Sequence, residues 1–227
     1  MTHDSGTLQP DAVRGMFDRI APVYDAMNHV MTAGLDRSWR RLTVEVVVQP
    51  GDREVARAAA RVEDAVAAER EGGVVTGLDF SPRMLERARR KSETVTWVEG
   101  DLLALPFDDG SFDAATVGFG VRNVADLEAG LAELHRVLRP GGRLAILEIT
   151  HPRGFLRPFF SLWFDRIVPL LGKILPGGKA YTYLPASVRR FPGPEELAAL
   201  LERRGFEQVR FRLLGGTIVA LHTAVRT

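Results

Sequence analysis

The segment from Gly100 to Thr150 restricts the fold more than any other part of the chain. It reads GDLLALPFDDGSFDAATVGFGVRNVADLEAGLAELHRVLRPGGRLAILEIT. Phe112–Val117 and Arg143–Ile149 have the pattern of buried strands, and between them Leu127, Leu131, Leu134, Val137 and Leu138 recur at helical spacing. Asp126 occupies the position of an N-cap, and Pro140-Gly141-Gly142 is expected to stop the helix after Arg139. Strand, helix and strand joined by a short glycine turn make one βαβ crossover, which is right-handed in a parallel sheet. Such sheets bind ligands beyond the carboxyl ends of their strands. Two segments fall at that edge: Gly118-Phe119-Gly120-Val121-Arg122-Asn123 and Glu148-Ile149-Thr150-His151.

The rest of the chain extends the same pattern. Val74–Asp79 and Val95–Val98 read as further strands, with Ser81 and Pro82 as N-cap and first residue of a helix over Arg83–Lys91. Strands alternating with helices imply an α/β protein with a doubly wound, mostly parallel sheet. A helix starts at Pro194 and ends before Gly205, and Phe206–Leu214 and Thr217–Val225 alternate about Gly215-Gly216 as an antiparallel hairpin. With 227 residues the chain suits one domain. Its expected parts are a helical lid over 1–41, a core over 42–150, a lipophilic cap over 151–192, and a terminal helix and hairpin over 193–227.

The remaining segments are less regular. Residues 1–9 read as a disordered tail, and Pro10–Arg41 as helices broken at Pro22 and Gly34. Phe17, Ile20, Val23 and Tyr24 share an apolar face, while Tyr24, Asp25, Asn28 and His29, interleaved with methionines, suggest a lid over a ligand of mixed polarity. Leu42–Val48 is a β-branched run, whereas Arg53–Arg70, rich in Ala, Arg and Glu, has the propensity of a strong helix. Phe155–Pro176 is aromatic and apolar but interrupted by Arg157, Asp165, Arg166 and Lys173, which suits a lipophile-binding cap rather than a membrane span. Tyr181–Pro185 and Phe191–Pro194 read as turns.

Composition excludes several classes of function. A net charge of +1 leaves no broad electrostatic footprint for nucleic acid. Without cysteine there is no disulfide, thiolate nucleophile or cysteine-ligated zinc. The amino terminus has no apolar core of a signal peptide, and no run of about 18 apolar residues exists to span a bilayer. A cytoplasmic location is expected.

Long motifs carry a resemblance: YDAMNHVMTAGLDRSWRR, GLDFSPRML, GDLLALPFDDGSFD, FGVRNVADLEAGLAELHRVLRPGGRLAILEIT, YTYLPASVRRFP and GGTIVALHTAVR. In order along most of residues 14–225, they resemble the class I methyltransferases that use S-adenosylmethionine. Within these, the chain is similar to the C-methyltransferases of menaquinone and ubiquinone biosynthesis. The resemblance implies a Rossmann-like fold, S-adenosylmethionine as methyl donor and a prenylated quinol as acceptor. Demethylmenaquinol is the favoured acceptor and the methoxybenzoquinol precursor of ubiquinone the alternative. It implies that Asp79 accepts the ribose hydroxyls, that Asp101 and Leu102 contact adenine, and that Gly118 lies by the cofactor where relatives commonly have Ser. Arg122 and Asn123 are implied to hold the quinol oxygen or an activating water, with Tyr24 and Asp25 as further catalytic candidates. No metal is implied, peripheral contact with the membrane suits such an acceptor, and an oligomer is compatible with it.

One departure stands out. The family places a glycine loop of the type LDxxxGTG directly after a PGDR element. Here PGDR is present at Pro50–Arg53, but EVARAAARVEDAVAAER follows, with no glycine before Gly72. A first strand in this text is in doubt, and a cofactor site without those glycines is expected to be weak. A non-catalytic or impaired homologue is therefore the second reading.

Overall fold

The computed structural model of the chain describes residues 10–32, 34–58, 74–154, 157–162, 166 and 178–227. Three helices come first: Pro10–Ile20 (α1), Tyr24–Met31 (α2) and Leu35–Glu45 (α3). A single 3-10 turn over Ala21–Val23, with Pro22 in it, separates the first two. Gly34 precedes the third at φ 79°, a left-handed conformation that favours glycine. Both expected breaks are present. The β-branched run Leu42–Val48 is not extended, because α3 continues through it to Glu45. Val44, Val47 and Val48 are buried from this helix end and its turn, so the core takes them without a strand.

The strands are Glu54–Ala58 (β1), Val74–Asp79 (β2), Thr96–Glu99 (β3), Phe112–Gly118 (β4), Leu138–Ile149 (β5), Phe206–Leu214 (β6) and Val219–Arg226 (β7). They form one sheet in the order β3-β2-β1-β4-β5-β7-β6. The first five are parallel, and β7 pairs antiparallel with both β5 and β6. Glu54–Ala58 corrects the helix expected from Arg53 onward. Val55 is fully buried in one apolar cluster and Ala56 lies in the other, the period-two alternation of a strand. Small side chains suit a strand paired on both edges, and those pairings override an intrinsic preference of a few tenths of a kcal/mol per residue. Asp113 fixes its start, with Oδ2 accepting from the backbone N–H of Arg53 at 2.8 Å and of Glu54 at 3.0 Å. The remainder of the expected helix, and the place of the missing glycine loop, lie outside the described residues.

The other helices are Pro82–Arg89 (α4), Leu127–Val137 (α5), Arg157–Leu162 (α6), Gly178–Arg190 (α7) and Pro194–Arg203 (α8). Ser81 caps α4, accepting from the Met84 N–H at 3.2 Å, and Asp126 caps α5, accepting from Ala129 N–H at 3.0 Å. The helix α5 ends at Val137, two residues sooner than expected, because Leu138 is extended and opens β5. Leu131, Leu134 and Val137 of α5 pack with Leu197 and Leu201 of α8 in one cluster, while Trp39 and Val44 of α3 pack in the other. Tyr181–Pro185 is helical rather than a turn: α7 carries Pro185 inside it, and burial of Pro185, Ser187 and Val188 offsets the lost backbone bond. Of the aromatic segment Phe155–Pro176 only α6 and residue 166 are described. Among the described residues no helix is long and apolar enough to cross a membrane.

Candidate active site

The strand order reverses between β1 and β4, so their carboxyl ends open a crevice where such sheets bind ligands. Asp79 ends β2 beside it. Its Oδ1 accepts from the Ser81 N–H at 2.9 Å, and the Ser81 hydroxyl donates to Asp18 of α1 at 2.6 Å. Part of Asp79 remains open to solvent, but burial and the neighbouring Asp18 outweigh its backbone hydrogen bonds and push its carboxyl up to about 6. Phe80 stands edge-on to Phe17 at 5.8 Å. With Asp11, Arg14, Glu99, Gly100 and Asp101 it lines a cavity of about 360 Å³, and Arg14 is ion-paired to Glu99 across it. An open acid at a strand end beside an aromatic ring and a polar rim suits a nucleoside.

The expected adenine pair divides. Asp101 is exposed and its Oδ1 accepts from the Leu103 N–H at 3.0 Å, leaving the other oxygen turned outward. Leu102 buries its side chain in the core against Gly130, so only its backbone can meet a ligand. A Cβ at Gly118 would lie 2.8 Å from Nη1 of the buried Arg40, so a side chain there requires the end of Arg40 to shift. The Arg40 guanidinium in turn stacks over the Phe119 ring at 4.9 Å. Phe119 has φ 60°, unusual for a side chain of this size, and such strain concentrates at functional sites.

Beyond Phe119 the single turn Val121–Asn123 carries the two polar candidates. Arg122 reaches Glu148 of β5 through Nη1 at 2.5 Å and the Phe119 carbonyl at 2.8 Å. Its backbone N–H also donates to Glu148 at 3.3 Å. The pair is enclosed, with side chains 8% and 1% exposed. Arg122 lines a second, apolar cavity of about 210 Å³ with Asn28, Trp39, Phe119, Phe160 and Leu184. Among the described residues the buried Nε of Arg122, Nδ2 of Asn28 and Oδ1 of Asn123 have no hydrogen-bond partner. Buried polar groups are normally satisfied, and two of these three residues, Asn28 and Arg122, line the apolar cavity.

Tyr24 and Asp25 lie elsewhere. Tyr24 is edge-on to Phe17 at 6.0 Å, and Asp25 binds Arg87 at 3.1 Å and Lys91 at 2.5 Å on α4. Neither lines the apolar cavity, so the expected group of four catalytic candidates is not brought together there. Two residues outside the expected set do belong to the neighbourhood. One is Glu148; the other is Tyr183 of α7, whose phenol burial pushes up while the nearby Arg122 draws it down. A carboxylate inside the apolar run LAILEI is a signal for Glu148. Tyr183 falls in the motif YTYLPASVRRFP, but its turn-like reading hides its place beside Arg122.

The geometry agrees with the comparison to known proteins. Residues 5–226 match the ubiE/COQ5 methyltransferase family. The chain belongs to that family. A demethylmenaquinone methyltransferase of Thermus thermophilus is 43% identical over 220 residues, covering 93% of this chain and all of that one. Those of Deinococcus radiodurans and Bacteroides fragilis are 42% and 38% identical, covering 89% and 95% of this chain and 88% and 93% of theirs. A solved SAM-dependent methyltransferase of Thermotoga maritima shares the fold at TM-score 0.69 and 22% identity, covering 94% of this chain and 99% of its own. In this member of the ubiE/COQ5 family the strand-end acid, the nucleoside-sized cavity and the strained turn after β4 all lie on the ligand-binding edge of the sheet.

Proposed function

We propose that this chain transfers the methyl group of S-adenosylmethionine to a ring carbon of a prenylated quinol, converting demethylmenaquinol to menaquinol. The observation that carries this is the apolar cavity lined by Arg122, whose buried Nε has no hydrogen-bond partner among the described residues. An aromatic-walled pocket with few polar groups suits a flat, reduced ring. The curated relatives named above act, by their names, on demethylmenaquinone.

The donor supplies an electrophilic methyl on a positively charged sulfur. The protein's part is to align the acceptor carbon and raise its electron density. Arg122 is no general base, but its guanidinium favours the phenolate form of the neighbouring oxygen once the hydroxyl proton has passed to water. The carbon beside it is then nucleophilic, takes the methyl as the methyl–sulfur bond breaks, and releases its ring hydrogen to water as a proton. Glu148 holds that guanidinium in place, and Asn123 offers its amide oxygen from the same turn. Asp79 accepts the ribose hydroxyls, and Asp101 with the Leu102 backbone meets adenine. The helices over 10–45 act as a lid and α6 with α7 as a cap, where Phe160 and Leu184 meet the acceptor. Such a cap supports a reading in which the enzyme works at the membrane surface, where prenylated quinols reside.

Expression in a bacterium lacking its own demethylmenaquinone methyltransferase tests this. Menaquinone should replace demethylmenaquinone in the lipid extract, and continued accumulation of the unmethylated quinone would refute it.

A further inference from the structure

Asn28 has no role in the reading above, and its surroundings give it one. It lies on α2, a different element from Arg122, yet both line the 210 Å³ cavity. Its main chain is pinned: the carbonyl accepts from the Thr32 N–H at 3.0 Å and from the Thr32 hydroxyl at 2.8 Å. The same hydroxyl bonds to Asp36 at 3.0 Å, which is itself buried on α3. Held at its backbone, Asn28 still leaves Nδ2 buried and without a partner among the described residues. An unpartnered amide in an apolar wall costs about as much as a lost hydrogen bond, unless a bound molecule completes it.

Two residues on separate elements, Asn28 and Arg122, thus line one cavity with Trp39, Phe119 and Leu184, and each holds a buried donor, Nδ2 and Nε, with no partner among the described residues. A cavity of about 150 Å³ accepts benzene, so 210 Å³ accepts a larger ring. A flat aromatic ring with an oxygen on each of two opposite carbons carries one acceptor for each donor. Arg122 stands on the turn after β4, beside the cofactor end of the sheet, and so meets the oxygen next to the accepting carbon. We infer that Asn28 is a specificity residue that binds the opposite, distal oxygen of a 1,4-dihydroxy aromatic acceptor. This rests on the quinol reading above for the identity of the acceptor, but not on turnover.

The test uses three short-tailed prenyl naphthalenes under reducing conditions: the 1,4-diol, the naphthol without the distal oxygen, and the naphthol without the proximal one. Binding to the full chain is measured by calorimetry with no methyl donor present. The unaltered protein should bind the diol about tenfold more tightly than the distal-deoxy compound, the worth of one buried hydrogen bond. Asn28→Leu, close in shape, should bind those two alike while still preferring the diol to the proximal-deoxy compound. Asn28→Ala serves where the leucine variant does not melt cooperatively. Retention of the full distal preference in either folded variant would overturn the inference. So would equal binding of the diol and the distal-deoxy compound by the unaltered protein, or no binding of either. Discriminating binding without methyl transfer would leave Asn28 as the reader of that oxygen and remove the catalytic reading instead.

Discussion

Glu148 holds Arg122 at both ends, accepting from its guanidinium at 2.5 Å and from its backbone N–H at 3.3 Å. The two residues are 26 positions apart and meet because β4 and β5 are parallel neighbours whose ends reach the same edge. Glu148 also accepts from the Ile149 N–H at 2.9 Å, which locks its own rotamer.

Breaking this pair from one side leaves a buried charge alone. Glu148→Ala should destabilise the fold by about 3–5 kcal/mol, whereas replacing both partners with apolar residues should cost less. Denaturant unfolding of the single and double variants measures the difference. A Glu148→Ala protein as stable as its parent would show that the pair is not the anchor of the 121–123 turn.

On the proposed function, Asp79 should set both cofactor affinity and its dependence on pH. Asp79→Ala should weaken binding of S-adenosylmethionine by about 1.5–3 kcal/mol through loss of hydrogen bonds to a charged acceptor. With its carboxyl near 6, most of it is protonated at pH 5, and affinity there should be about tenfold weaker than at pH 7. For the ligand-free fold the sign is opposite. The folded state holds the extra proton between the usual carboxylate range and about 6, so this group's contribution to stability falls as pH rises through that window. Calorimetric titrations at the two pH values decide the first point, and flat affinity between them would contradict it.

Asp113 is the anchor of the central strand. Burial raises its carboxyl, but the N–H groups of Arg53 and Glu54 and the charges of Arg139 and Arg143 outweigh that and hold it below the usual range. Asp113→Ala orphans two backbone donors, at about 1–3 kcal/mol each. Because the folded carboxyl is depressed, its contribution is present above the ordinary carboxylate range and is lost as pH falls through the lower folded value. Acid unfolding of the variant should therefore lose part of the parent's steepness; an unchanged acid transition would count against this anchor.

Most of the sheet is legible because burial and periodicity coincide. The crossover from Phe112 to Ile149 shows two buried-strand patterns about an amphipathic segment capped at Asp126, and these have their counterparts in β4, β5 and α5. Glu54–Ala58 is not legible because alanines and charged residues favour helix locally, and only pairing with β2 and β4 makes them a strand. Tyr181–Pro185 misleads for the converse reason: a proline marks a turn locally, while burial keeps α7 helical around it. At the site, Asp79, Arg122 and Asn123 are visible in motifs at strand ends. Glu148 as the partner of Arg122, and Tyr183 as its neighbour, depend on contacts across the fold. Asp25 reads as catalytic in YDAMN, yet its neighbours in space are Arg87 and Lys91.

The text after β1 lacks glycine from Glu54 to Glu71, although β1 itself is paired on both sides. A turn without glycine there opposes close backbone approach to the methionine end of the cofactor, which should remove two or three charged hydrogen bonds. Affinity for S-adenosylmethionine should then be roughly a thousandfold below that of the Thermus thermophilus relative. Parallel titrations compare them, and equal affinities would show that this segment holds the cofactor by other means.

Carbon methylation of a quinol ring is tested most directly by the structure of the product. The purified chain is incubated without oxygen with saturating S-adenosylmethionine, carbon-13 labelled in its methyl group, and a reduced short-tailed demethylmenaquinone. The expected result is a labelled methyl bonded to the ring carbon beside the prenyl-bearing one, seen by NMR, and its loss in Arg122→Ala. Label on a quinol oxygen, or no label in the lipid at saturating donor, would contradict the assignment.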